Sequence, residues 1–357
     1  MTERTDLLTS PLLTSKGRRA LLFSLATAVV GSLLPMAATA QDDAVWTMIT
    51  DQNGLGDHGF NDLAKLGLDR SVEAFGGRAQ VIQSTDQSQF VPNLLQAVAG
   101  GSTMVVGVGS LLNDALTEVA MMKPEAHFTL IDAVSVDDDG KPLENVASVT
   151  FREQEAAFLA GVVAAMTSKT GHIGFVGGME TPPVVRFLAG YKAGIATVDP
   201  EIKISHAFVG SFRDPAKAKV LAEGMFDSDV DVIMDVAGGG GRGIYDAITE
   251  AGADHWVIAA DTCKGHLAPD NFLTSAVKDV AGAVFYENKA VHDETFEGGP
   301  QSLGLAEGAV GLCADNIDTL PAEVLAKVEA AKAKIIAGEL TPPDTYEALD
   351  AFAPGEL

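Results

Sequence analysis

Short runs of β-branched and other apolar residues alternate with longer segments of helical periodicity from residue 45 to residue 337. The strand-like run 45–50 precedes a helix starting at Asn61, 79–83 precedes 88–99, and 103–107 precedes 111–122; 127–131 and 145–150 then follow as strands. A long helical segment at 153–168 opens a second series: strand 172–176, helix 184–197, strand 202–209, helix 215–226, strand 230–236, helix 242–251 and strand 256–260. Strand 272–277, helix 280–296, the apolar pieces 302–305 and 309–313, and a last helix at 322–337 complete the pattern. Each strand-plus-helix pair is βαβ grammar, which calls for parallel sheets with crossovers on both faces. Two such series predict an α/β protein of two lobes. The first is expected to comprise 41–150 plus 272–298 and the second 151–271 plus 299–357, with the chain passing between them near residues 150, 271 and 300.

At 357 residues and 47% hydrophobic, the chain is long enough for two ordinary cores. The first forty residues are set apart by Lys16, Arg18 and Arg19, an apolar run at 20–34 and the ending Ala38-Thr39-Ala40, the layout of a cleavable export signal. Arg18-Arg19 also permits a twin-arginine signal, and ordinary secretion stands beside it. Residues 1–40 carry four basic and two acidic side chains, so against a whole-chain charge of −25 the remainder stands at about −27. A nucleic-acid partner is excluded on that balance, because phosphate binding needs a basic face. The two cysteines, Cys263 and Cys313, are too few for a disulfide scaffold or a cysteine-based zinc site; in an exported chain a single disulfide between them is plausible.

Ligands of parallel sheets bind beyond the carboxyl ends of the strands, so the loops after each apolar run carry the candidate chemistry. In "TDQNGLGDHGFND" Asp51 leaves the first strand, and Asn61 or Asp62 can cap the following helix. A capping loop explains those residues but not Phe60, whose ring beside Asp51 and Asn61 offers a flat heteroaromatic ligand one stacking face and polar groups at its edge. Asp132 closes "HFTLID" and Asp261 closes "WVIAAD". Each can accept two hydroxyls, as a vicinal diol requires; turn caps are the alternative. Lys278, after "FLTSAV", is either a solvated charge or a donor to ligand oxygen that balances Asp261.

The run GGGGRG from Gly238 to Gly243 matches a dinucleotide fingerprint after a strand, with Asp261 at a suitable distance downstream, and four consecutive glycines also bring bare backbone close to any ligand. An exported NAD(P)-dependent oxidoreductase is therefore a second reading, weakened by the motif's place in mid-chain and the want of a proton-donor constellation. The seven histidines show no metal-ligand spacing and the serines no nucleophile elbow, so neither metal, cofactor nor hydrolase chemistry is expected.

Together "TDQNGLGDHGFND", "FTLIDA", "FREQEAAFLAGVVAAMTSKTGHIGFVGGMETPPVVRFLAGYKAG", "VGSFRDPAKAK", "VDVIMDVAGGGGRGIYDA" and "LTSAVKDV" resemble, in order, the basic membrane protein family of ABC-transporter substrate-binding proteins, which includes purine nucleoside receptors. The resemblance covers nearly all of residues 44–340. It implies a two-lobed periplasmic-binding-protein fold of type I, a periplasmic location, a nucleoside-like ligand, permease partners in the inner membrane, and no catalysis. By position it makes Asp51 and Asp132 contacts to the base, Phe60 the stacking ring, Asp261 and Lys278 contacts to ribose hydroxyls, and Gly239 a backbone contact. The family usually reads Lys-Ser-Phe-Asn where this chain has His58-Gly59-Phe60-Asn61. Its second aromatic, near the strand before the glycine loop, is replaced by Met234, which packs on a ring less specifically. Another purine derivative or a flavin is thereby admitted as ligand.

Overall fold

The computed structural model describes residues 44–315 and 317–357, and the expected export signal at 1–40 lies outside them. Five parallel strands begin the chain's first half: β1 (Val45–Ile49), β2 (Arg78–Ile82), β3 (Met104–Val108), β4 (Phe128–Ile131) and β5 (Val146–Phe151). The helices α1 (Phe60–Phe75), α2 (Phe90–Ala99) and α3 (Asn113–Met122) connect them. Then come α4 (Glu153–Thr167), β6 (His172–Gly177), α5 (Pro182–Val198), β7 (Lys203–Phe208), α6 (Pro215–Phe226), β8 (Val232–Val236), α7 (Arg242–Ala251), β9 (Trp256–Asp261) and β10 (Phe272–Lys278). The chain continues through α8 (Val280–His292), β11 (Gly299–Leu303), β12 (Val310–Leu312), α9 (Ala322–Ile336) and the short α10 (Tyr346–Asp350).

Two six-stranded sheets result, ordered β11-β5-β4-β3-β1-β2 and β12-β10-β9-β8-β6-β7. Every pairing is parallel except that of β10 with β12. Strands β1, β3, β4 and β8 are buried along their whole length, as a parallel sheet covered on both faces requires.

Strand β10, expected in the first lobe, is hydrogen-bonded into the second sheet beside β9, and β11, expected in the second, pairs with β5 in the first. The chain therefore changes sheet after Phe151, after Lys278 and between Leu303 and Val310. The sequence hides this because β9 and β10 are joined without a crossover helix, through a short connection that looks like a departure from the sheet. Cys263 in that connection is disulfide-bonded to Cys313, which follows β12. The pair ties the exit of β9 to the strand flanking β10.

Helix α4 is buried on all sides from Glu153 to Ala165, so it presents no amphipathic stripe. Its partner α5 comes so close that a Cβ on Gly161, Gly190 or Gly194 would collide with the carbonyl oxygen of Tyr191, Gln154 or Phe158. The two helices thus cross backbone to backbone.

Candidate functional site

The loop after β1 is organised by two carboxylates. Buried Asp57 accepts hydrogen bonds from the backbone N–H of Gly59 (3.0 Å), Asn61 (2.8 Å) and Asp62 (3.2 Å) and from the side-chain amides of Asn53 (3.2 Å) and Asn61 (3.0 Å). Asp62 accepts from Gly56 (2.8 Å) and His58 (3.0 Å). The start of α1 is thus capped from Asp57, not from Asn61 or Asp62, and Gly59 at the cap position contributes no side chain. Asn61 is fully buried; its amide donates to Asp51 at 2.9 Å, so it aims the Asp51 carboxylate instead of reaching a ligand itself. Burial pushes the Asp51 carboxyl up to about 6, outweighing the lowering effect of the Asn61 and Asn53 hydrogen bonds.

Beyond the carboxyl ends of both sheets lies a narrow crevice with a cavity volume of about 60 Å³. Asp51, Asn53, Phe60, Ser110 and Asp132 line it from the first sheet's side. Thr181, Phe187, Phe212, Gly238, Asp261 and Lys278 line it from the other. Asp132, directly after β4, and Asp261, the last residue of β9, sit at comparable strand ends, each with a left-handed backbone, φ 73° and 71°. Aspartate tolerates that region better than most residues.

Lys278, at the end of β10, is buried and joins the two sides. Its Nζ donates to Asp132 at 2.6 Å and Glu153 at 3.2 Å, lies 4.0 Å from Asp261, and stands 4.5 Å from the centre of the Phe60 ring. Burial alone would lower the Lys278 pKa, but Asp132 and Glu153 outweigh it and raise it, so the ammonium stays charged. Burial raises the Asp132 carboxyl to about 6 although Lys278 opposes the shift. One oxygen of Asp132, Oδ1, is buried without a hydrogen-bond partner.

Of the residues singled out in the sequence, Asp51, Phe60, Asp132, Asp261 and Lys278 converge on this crevice. Met234 does not. It is fully buried within β8, a central strand covered on both faces, so its side chain packs in the core and not past the strand end. Gly239 is displaced by one position: Gly238 lines the crevice, while a Cβ on Gly239 would lie 2.7 Å from Oδ1 of Asn53 across the gap. Phe212 also lines the crevice, its ring resting on the backbone of Gly178 and Gly238. It was discoverable, since it follows β7 in the quoted stretch "VGSFRDPAKAK" and obeys the strand-end rule. Phe187, on the first turns of α5, had no such signal, because a helical phenylalanine reads as core.

The model of the Bmp family, described as ABC transporter substrate-binding protein, PnrA-like, matches residues 44–345. Basic membrane protein A1 of Borrelia garinii subsp. bavariensis is 34% identical over 299 residues, covering 83% of this chain and 87% of that protein. The protein named ABC transporter nucleoside-binding protein BmpA of Lactococcus lactis subsp. cremoris is 33% identical, covering 83% and 88%. Among solved structures, an ABC transporter solute-binding protein from Aeropyrum pernix K1 superposes with a TM-score of 0.77 at 30% identity, over 87% of this chain and 96% of that one. The ordered strand-end motifs, the paired sheets and the matched span agree, and the chain belongs to the Bmp family of PnrA-like ABC transporter substrate-binding proteins.

Proposed function

We propose that this chain captures a purine nucleoside, or a related flat heterocycle carrying vicinal hydroxyls, between its two lobes and delivers it to the permease of an ABC importer, without transforming it. The observation that carries the reading is the pair of rings, Phe60 and Phe212, supplied to one crevice from opposite sides and flanked by Asp51, Asp132, Asp261 and Lys278. Rings hold a flat aromatic body, while carboxylates and an ammonium at its edges match N–H and hydroxyl groups. Three acids against one lysine argue for a neutral ligand and against a phosphorylated one. The Lactococcus lactis relative's name, nucleoside-binding, supports the same class. Export to the periplasm belongs to this proposal, on the pattern of residues 1–40.

The oxidoreductase reading loses its main support in the glycine run. Gly243 is taken up by the contact of α7 with Pro215 at the start of α6, and Gly239 faces Asn53, which leaves Gly238 toward the crevice. Isothermal titration against guanosine, inosine, adenosine, the free bases and riboflavin tests the proposal. Binding of at least one hydroxylated heterocycle is expected, with Phe60→Ala weakening it by about 1–3 kcal/mol. Absence of binding to all of them removes the reading.

A further inference from the structure

Glu153 is an ionisable side chain with no exposed surface, and it does not line the crevice. Its two oxygens are divided: Oε2 accepts from Nε of Arg186 at 2.5 Å, and Oε1 accepts from Nζ of Lys278 at 3.2 Å. It is the first residue of α4, directly after the chain leaves the first sheet at Phe151, and Lys278 is the last residue of β10, directly before the chain returns. The ion pair therefore joins two of the three segments that connect the lobes. Placement at the first turn of a helix favours its negative charge, and Arg186 on α5 fixes the carboxylate from the other side.

The remaining partners of Lys278 are carried by different sheets. Asp132 and Phe60 are carried by the first sheet, whereas α4 packs against α5, β10 and β12, and Asp261 ends β9 beside β10. If the lobes part, Asp132 and Phe60 leave Lys278, while Glu153 and Asp261 stay with it. A buried ammonium without a hydrogen-bonded counter-charge is strongly disfavoured, and Asp261 at 4.0 Å is too far to hold it by a hydrogen bond. We infer that Glu153 is a positioning residue of the binding site: it holds the Lys278 ammonium in one orientation in both open and closed states, so that the ligand's hydroxyls meet an aligned donor and closure adds Asp132 and Phe60. This inference rests on the proposed capture of a hydroxylated ligand and goes beyond it by assigning orientation of the donor to a residue outside the crevice.

The test is a double-mutant cycle read with two probes, inosine and 2′,3′-dideoxyinosine, by isothermal titration of the full protein. Glu153→Gln is expected to weaken inosine by at least about tenfold, the scale of one misdirected charged hydrogen bond, and to leave the dideoxy probe within about threefold. In a Lys278→Met background, Glu153→Gln is expected to cause no further loss of inosine affinity. Equal weakening of both probes, or an undiminished effect without Lys278, overturns the inference, because a merely structural role would act on both probes alike. Should Glu153→Gln fail to fold, the paired replacement of Glu153 and Arg186 by Met removes the anchor without leaving Arg186 unpaired, and the same selective loss is expected. Wild-type protein that binds neither inosine nor any other heterocycle of the titration panel defeats the proposed ligand class itself, and this inference with it; where another nucleoside binds instead, that nucleoside and its dideoxy form serve as the two probes. Wild-type binding with an unselective variant defeats the inference alone.

Discussion

Asp51 is held ionisable in a wall that does not favour its charge. Its carboxyl is pushed from 3.8 up to about 6, chiefly by burial. The folded chain thus holds that proton more tightly than the unfolded chain. The Asp51 contribution to stability is therefore full below about pH 3.8 and is lost as the pH rises through about 6. Above that pH the buried charge costs roughly 1–3 kcal/mol. Asp51→Asn is expected to raise the unfolding free energy by about 1–2 kcal/mol at pH 7 and to change it little at pH 4, while weakening ligand binding. Urea unfolding at the two pH values checks this; an equal gain at both would show that burial of the charge is not the cause. Asp51 was legible in the sequence as a strand-end acid, but Asp57, which accepts five hydrogen bonds in the same loop, was not. One acid among several in an irregular loop carries no sequence mark of which one the backbone folds around.

Among the elements, the crossing of α4 and α5 decides how close the buried charges can lie. Gly190 and Gly194 stand four residues apart on one face of α5, and Gly161 faces them from α4. The atoms a side chain would strike are backbone carbonyls, which cannot rotate away. Gly190→Val is expected to destabilise the protein by at least about 3 kcal/mol, or to prevent folding, as judged by chemical denaturation. A loss below about 1 kcal/mol would mean that the helices can separate without harm. The two helices themselves were readable from periodicity, since that signal is local. Their mutual depth was not, nor was the sheet to which β10 belongs, because pairing of β10 with β9 depends on contacts across a connection that has no periodic pattern of its own.

At the scale of the whole molecule, contacts between the lobes at the crevice include Lys278 with Asp132 and Phe60, Gly59 beside Lys264, and Asn53 against Gly238 and Gly239. Gly239→Val places a branched side chain against Asn53, so it is expected to hold the lobes apart. Small-angle scattering should then show a larger radius of gyration than wild type at saturating ligand, with affinity reduced at least about tenfold. A wild-type radius and affinity would show that Asn53 moves aside freely. The order of strands and helices, the acidic balance, and the acids and Phe60 at strand ends were determined by the sequence alone, because each depends on neighbours along the chain or on residue type. Which of those residues share one crevice was decided by tertiary structure. Met234 went to the core, Phe212 took a place in the wall, and Glu153 met Lys278 across 125 residues of sequence, since such meetings depend on how two sheets and three connections close in space and leave no local trace.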